Sequence, residues 1–344
     1  MAKPAKPSTA KPSTAKPPAT GVAVGGLALQ VALDRAGFSP GAVDGKVGTG
    51  TRKALEAYRQ ANGGEPQLAE PTTRYQITEA DAAGPFEPEI PRELPDQAKL
   101  PALSYRTLLE ALAERFHSTP AFLQRLNPGA KFTAGEDITV PNVEPMVLPA
   151  SAAPKAAKPD PAINPEPAPK PDAAAKPDPA AKPAPAAKPE PDAKPDPAAK
   201  PSAAAKPAVV VVTVTKSTSA MTVTDPEGKI LMYAPVTTGS ENDPLPIGEW
   251  KVNGVSLNPT FRYNPKLFWD ADPTHDKALL QAGPNNPVGL VWVDLSKEHY
   301  GLHGTPEPST VGKTASHGCV RLTNWDALKL AALVKPGTKV VFKP

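Results

Sequence analysis

The only cysteine of the 344-residue chain, Cys319, sits in "GLHGTPEPSTVGKTASHGCVRL", residues 301–322, with two of the five histidines. Pro306, Pro308 and Gly312 forbid a continuous helix between His303 and His317. Gly318 lets the backbone turn sharply just before the thiol. A free thiol ionises near pH 8.5, so only a few per cent is thiolate around pH 7. A neighbouring imidazole can take the proton and hold an imidazolium–thiolate pair. Nucleophilic attack by sulfur is therefore the chemistry this spacing offers. His317 is two residues from Cys319, so in an extended segment the two side chains run parallel. His303 comes from another segment and can face the thiol, which makes it the candidate base.

Three other uses of these residues stand beside that one. His299, His303, His317 and Cys319 could bind zinc, but "YGLHGTP" has β and turn character, and one thiolate with histidines is an uncommon structural set. Cys319 could be a buried, inert thiol, although two histidines and several glycines flank it. A Cys–His protease of another fold would carry local signatures that are absent here.

The elements that must position this stretch follow from composition. The 48 prolines crowd the first twenty residues and residues 150–207, which cannot bury a core. All four tryptophans, Trp250, Trp269, Trp292 and Trp325, lie after residue 208, so the largest core is expected there. The net charge of +3, without a basic block that mixes with aromatics, speaks against nucleic acid. A single cysteine excludes an intramolecular disulfide framework. No run of about 18 apolar residues predicts a membrane span. "TGVAVGGLALQVAL" is faintly like the apolar part of an export signal, but reads better as a helix and turn. The start reads as one that has lost such a signal.

Six regions are expected. Residues 1–21 repeat a Lys-Pro unit and are predicted disordered. Residues 22–64 hold two short amphipathic helices, the first stopped by Gly37, with a tight turn at Asp44-Gly45 and Thr51 near the second helix start. Residues 65–100 are a Pro-punctuated connector. Residues 101–145 give a helix lined by Leu108, Leu112 and Phe116, a second with Phe122, Leu123 and Leu126, a stop at Asn127-Pro128-Gly129, and a short strand "DITVP". Residues 146–207 alternate Ala, Lys, Pro and Asp, a polyproline-prone passive spacer. From 208 to 344 the chain is mostly β, with a hairpin turn at "DPEG" and one good helix, "TNWDALKLAALV". Thr323 and Asp326 form its capping box, and Lys335-Pro336-Gly337 ends it.

Three resemblances follow. Leu29-Gln30, Gly37-Phe38, Val43-Asp44-Gly45, Gly48, Thr51 and residues 58–63 resemble the small three-helix peptidoglycan-binding module. Residues 101–145 resemble the LysM glycan-binding module, although its usual Gly-Asp-Thr-Leu opening is missing. "HGT" followed by "SHGCVR", with "TTGSENDPLPIGEWKV", "GPNNPVGLVWVDL" and "YGLHGT", resembles the L,D-transpeptidase (YkuD-like) catalytic domain over residues 208–344. Arg321 stands where relatives carry arginine or asparagine.

The resemblance implies a multidomain chain. A mainly β catalytic domain lies at the C-terminus, preceded by a small all-α module, an α+β LysM-like module and a long disordered linker. It implies that Cys319 attacks a peptidoglycan stem peptide at the carbonyl before the terminal D-amino acid, after a third residue that is usually a diamino acid. His303 would be the base, held by a backbone carbonyl near Gly304. His317, Gly318 and the Cys319 amide would form the oxyanion hole, and Ser316 would fix the loop. Arg321 would bind a substrate carboxylate, with Gly304 and Thr305 on the same substrate side. Peptidoglycan is the implied partner, the periplasm or cell envelope the implied location, and no metal or cofactor is called for. Water as acceptor would make it an L,D-carboxypeptidase; a degenerate site would make it a wall-binding adaptor, which the complete motif counts against. Residues 22–143 lack cysteine and hold one histidine, His117, so they should target the enzyme, while the spacer lets the catalytic domain sweep freely.

Overall fold

The computed structural model describes residues 24–149 and 209–344. The disorder expected for residues 1–21 and most of the expected spacer lie outside them. In the N-terminal part, α1 (Val24–Arg35) and α2 (Thr49–Asn62) are followed by β1 (Thr72–Gln76), α3 (Glu79–Ala82), α4 (Leu94–Gln97), α5 (Leu108–Arg115), α6 (Pro120–Leu126) and β2 (Asp137–Pro141). Gly63, left-handed at φ 71°, closes α2. Thr107 and Thr119 accept from the N–H groups of Glu110 and Phe122 and so start α5 and α6.

The strand that partners β2 comes from the stretch expected to be a connector. β1 pairs with β2 antiparallel, Thr73 opposite Val140 and Tyr75 opposite Ile138. "TTRYQ" gave no signal because it buries little: only its partner strand supplies buried apolar residues, Ile138 and Val140.

The C-terminal part holds β3 (Val211–Thr215), β4 (Ala220–Thr224), β5 (Ile230–Pro235), β6 (Gly248–Leu257), β7 (Phe261–Tyr263), β8 (Ala278–Leu280), β9 (Val291–Leu295), β10 (Gly301–His303), β11 (Val320–Arg321), α7 (Asn324–Leu333) and β12 (Lys339–Lys343). Eight strands form one sheet in the order β11-β10-β9-β6-β12-β3-β4-β5. The β10–β11 and β12–β3 pairs are parallel and the rest antiparallel. The sheet curls until its two edges meet: just beyond β5, the Thr237 N–H donates to the Arg321 carbonyl at 3.0 Å and the Thr237 carbonyl accepts from the Arg321 N–H at 2.9 Å. The two edges are thereby joined at this one point. Val212, Val214, Met221, Val223, Val293, Leu302, Val320, Leu322, Phe342 and Trp325 fill the interior. Thr323 caps α7 as expected, accepting from the Asp326 N–H at 3.2 Å.

The N-terminal part is docked on this domain. Leu33, Phe38 and Ala54 share a cluster with Ala220 and Tyr233. Residues 37–39 add to the edge of β5: the Tyr233 N–H donates to the Gly37 carbonyl and the Ser39 N–H to the Tyr233 carbonyl. Leu103 packs with Phe261, Tyr263, Leu280 and Val288. Met146, placed by sequence in the spacer, is buried in the core of the C-terminal part. A catalytic domain swinging free of its companions is therefore not what the chain builds.

Buried polar groups fix this junction. Asp34 lies between His117 Nδ1 at 2.9 Å and Lys329 Nζ at 3.3 Å. Burial raises its pKa, but the facing His117 and Lys329 outweigh this and hold the carboxyl near 2. The His117 ring stacks on Trp325, centroids 5.2 Å apart. The Ser39 hydroxyl donates to Asp326 at 2.9 Å. The Asn324 amide donates to Glu114 at 2.9 Å. Burial pushes the Glu114 carboxyl up to about 7, despite its hydrogen bond from Asn324.

Because the folded pKa of Glu114 lies above its ordinary 4.5, the stability it contributes is complete below that pH and lost as pH rises through 7. Glu114→Gln keeps the shape and removes the ionisation. Thermal melts from pH 4.5 to 8 should show the wild type losing up to about 3 kcal/mol relative to the variant. Parallel curves for the two proteins would show that Glu114 is not the titrating group.

Candidate active site

Strand alternation assembles the site. Leu302 and Val320 are opposite one another across the parallel β10–β11 pair and face the core. Gly301, His303, Cys319 and Arg321 therefore face the other way, together. Cys319 falls beside Gly301, and Arg321 beside His303. Diagonal neighbours on one sheet face lie about 7–8 Å apart between backbones, within reach of a ring. The two segments expected to approach each other thus do so by register.

His303 is buried, and its Nδ1–H donates to the Gly304 carbonyl at 2.7 Å. That bond leaves Nε2 as the ring's free acceptor. Trp292, opposite His303 on β9, stacks against the imidazole with centroids 5.6 Å apart. The same indole lies over Gly301, where a Cβ would come 2.5 Å from its ring. A Cβ on Gly304 would come 2.1 Å from Asn324 Oδ1. Asn324 is itself held, its Oδ1 accepting from the Leu290 N–H at 2.9 Å and its amide donating to Glu114. The carbonyl that orients His303 is thus backed by a helix start and, through it, by the N-terminal part.

The loop before Cys319 is fixed from three sides. Ser316 Oγ donates to the Cys319 carbonyl at 2.6 Å. Gly318 adopts φ +99°, and a Cβ there would come 2.9 Å from the Tyr300 ring, so glycine is required twice over. His317 Nε2 meets Asp270 at 2.7 Å, and its ring packs edge-on against Phe268. His299 is only the thiol's neighbour through its backbone: Cys319 Sγ donates to the His299 carbonyl at 3.6 Å. The His299 ring faces Glu298 at 3.6 Å. The four side chains of the zinc alternative therefore turn to separate partners, and no group of three metal-ligating side chains occurs among the described residues. Thr305 is buried beside Gly304, its hydroxyl accepting from the Glu307 N–H at 3.3 Å. No carboxylate among the described residues is within ion-pair distance of the Arg321 guanidinium, whose pKa burial lowers.

Electrostatics alters the resting state expected from sequence. Burial drives the His303 pKa down to about 3, helped by the Arg321 charge. Burial drives the Cys319 thiol up to about 11, with the Gly301 amide and Arg321 pulling the other way. The free site therefore holds a neutral thiol and a neutral imidazole, not an ion pair. Sequence could not show this, because it comes from the closure of the sheet over both groups. Trp292, Asn324, Asp270 and Tyr300 were also not singled out as site residues; the one available signal was that Trp292 lies in the strand "GLVWVDL" beside the "GLHG" strand.

With fold and site in place, comparison with known proteins gives the class. Residues 209–342 match the family described as "L,D-transpeptidase catalytic domain" (YkuD), and residues 27–66 match the "Putative peptidoglycan binding domain". The chain thus carries an L,D-transpeptidase catalytic domain of the YkuD family after a peptidoglycan-binding domain. The Bacillus licheniformis protein named "Putative L,D-transpeptidase YkuD" is 50% identical over 64 residues, which is 19% of this chain and 39% of that protein. "Putative L,D-transpeptidase YqjB" of Bacillus subtilis is 31% identical over 31% of this chain and 56% of its own length. A solved L,D-transpeptidase from Mycobacterium smegmatis aligns at 19% identity over 40% of this chain and 59% of that one, with a TM-score of 0.33. The chain therefore spans between 39% and 56% of these two curated relatives.

With His303 neutral down to about pH 3 and the thiol near 11, alkylation of Cys319 by iodoacetamide should rise steadily with pH through 9. It should show no plateau between pH 5 and 8. A plateau there would mean that the ion pair exists in the free protein.

Proposed function

We propose that the chain is an L,D-transpeptidase that acts on peptidoglycan stem peptides through a Cys319 acyl-enzyme. The observation that carries this reading is the His303 Nδ1–H bond to the Gly304 carbonyl, which leaves Nε2 free on the face shared with Cys319. Substrate binding excludes water and brings a carbonyl carbon to Sγ. The thiol proton moves to His303 Nε2 as sulfur attacks, so charge separates only when an electrophile is present to receive it. The new oxyanion is met by the backbone N–H of Cys319, with His317 and Gly318 lining the same turn. The bond to the terminal D-amino acid then breaks, and its nitrogen takes the proton back from His303. An acceptor amine attacks the thioester, gives its proton to His303, and restores the thiol as the sulfur leaves.

Arg321 supplies a guanidinium for a substrate carboxylate, and Thr305 and Gly304 line the approach. Arg321 is suited to this because a half-buried guanidinium without a protein counter-ion gains most from a bidentate carboxylate. The match to a peptidoglycan-binding domain supports delivery to the same polymer and, with it, work in the periplasm or cell envelope. Among the described residues no helix is long and apolar enough to cross a membrane.

Cys319→Ala removes the sulfur from a loop whose backbone bonds remain, so the fold should persist. After incubation with a purified tetrapeptide stem, the wild type should carry a tripeptide adduct by intact mass and the variant none. An adduct that survives on the variant would refute the nucleophile. The released products separate the two fates of the thioester: a cross-linked peptide marks transfer, and a free tripeptide marks hydrolysis.

A further inference from the structure

Beside the thiol lies a carboxylate that the mechanism above does not use. Asp243 Oδ2 is closed to solvent and meets no hydrogen-bond partner among the described residues. A buried polar atom left unmade costs about 1–3 kcal/mol, so it calls for an explanation. Its loop is tied to both flanks of Cys319. At one end the Ser240 N–H donates to the Ser316 carbonyl at 3.1 Å, and the Ser240 hydroxyl accepts from the Asp243 N–H at 3.1 Å. At the other, the Tyr300 hydroxyl donates to the Pro244 carbonyl at 3.5 Å, while the Tyr300 ring packs on Gly318. A Cβ on Gly239 would come 2.1 Å from the Asp243 carbonyl, so the loop is close-folded.

This carboxylate opposes the chemistry of its neighbour. Its charge raises the pKa of both the Cys319 thiol and the Tyr300 hydroxyl, which disfavours the thiolate. Thiol activation therefore does not explain it. A cationic ligand does: an ammonium would supply the missing donor to Oδ2 and cancel the opposing field on sulfur in one event.

We propose that Asp243 receives a primary ammonium group of the substrate next to Cys319, so that the arrival of the correct peptide also prepares the thiol for attack. This deepens the transpeptidase reading and rests on it. Two parts of the substrate could bring such a group: the side-chain amine of the donor's diamino acid, or an amine on the acceptor peptide.

The test compares full-length wild type, Asp243→Asn and, as a control with the same charge change on an exposed position of the same loop, Glu241→Gln. Each is given a tetrapeptide donor with a free side-chain amine and one with that amine acetylated. If the donor brings the ammonium, wild type and control should acylate about tenfold faster with the free amine, and Asp243→Asn should not discriminate. If the acceptor brings it, none of the three proteins should acylate differently with the free-amine and the acetylated donor. Asp243→Asn should then be about tenfold slower only in transfer to an amine-bearing acceptor peptide. Either pattern supports the proposal and identifies the source. An Asp243→Asn protein that keeps wild-type selectivity in both steps overturns it. Failure of the transpeptidase reading looks different, because no donor then acylates any of the three. Alkylation of Cys319 by iodoacetamide in the presence of lysine amide would then decide. The amide should speed the wild type and Glu241→Gln and leave Asp243→Asn unchanged; an equal response in all three overturns the ammonium site.

Discussion

The hydrogen bond from His303 Nδ1 to the Gly304 carbonyl, 2.7 Å long and buried, is the contact on which the rest of the site depends. It fixes the tautomer and leaves Nε2 as the acceptor on the sheet face that Cys319 shares. A backbone carbonyl can do this only if its peptide cannot rotate. Here Gly304 is clamped against Asn324, whose amide is in turn spent on Leu290, Pro284 and Glu114. The start of α7, the loop at Leu290 and a helix of the N-terminal part therefore converge on a single carbonyl. The small residues follow from that convergence. A methyl group on Gly289 or Gly304 would fall about where Asn324 Oδ1 lies, 2.0 and 2.1 Å away. The glycine after His303 is thus a consequence of packing behind the site, not of the turn alone.

The same convergence changes the meaning of the N-terminal part. A tethered targeting module needs no buried polar contact with the domain it delivers. This one has several, and they are of a kind that is destabilising when only half made. Asp34, His117 and Lys329 satisfy one another across the junction, and Asp326 is shared between the α7 cap and Ser39. Removing the N-terminal part would strand Lys329, Asp326 and Asn324 beside an uncovered Trp325. Residues 24–149 are better regarded as the back wall of the catalytic domain than as a separable anchor. Their buried contacts hold them in a fixed attitude toward the C-terminal domain.

How much of this could be read from sequence depended on whether the cause was local. The turn at Asp225 to Gly228, the Thr323 cap and the Gly63 stop are decided within a few residues, and their signals were in the chain. The facing of His303 and Cys319 was legible because prolines and Gly312 forced the two segments apart and left β register to bring them together. β1 was not legible: "TTRYQ" is polar on both faces and is a strand only because β2 is there to pair with it. Nor were the contacts of Glu114 and His117, which lie at helix ends with no unusual spacing. The ionisation of the site was the least legible. A histidine near a cysteine suggests an ion pair, but closing the sheet buries both, and desolvation outweighs their attraction.

A site that rests neutral has a physical advantage and a matching requirement. A buried thiol near pKa 11 is poorly reactive toward stray electrophiles and oxidants, since the thiolate is the reacting species. The requirement is that substrate itself must supply what lowers the barrier to proton transfer. Two charges and one backbone dipole act on the sulfur: the Gly301 N–H favours the thiolate most, the Arg321 guanidinium favours it too, and the Asp243 carboxylate opposes it. Arg321 and Asp243 have opposite signs and neither is neutralised by an ion pair within the described protein. A zwitterionic peptide end, with a carboxylate and an ammonium, would neutralise both. In doing so it would remove the opposing field through Asp243 and the supporting field through Arg321. Net activation then turns on which of the two lies closer to the sulfur when the peptide is bound. Selectivity and reactivity are therefore set by the same pair of charges, and a ligand that brings a carboxylate to Arg321 without an ammonium for Asp243 meets an unprepared nucleophile.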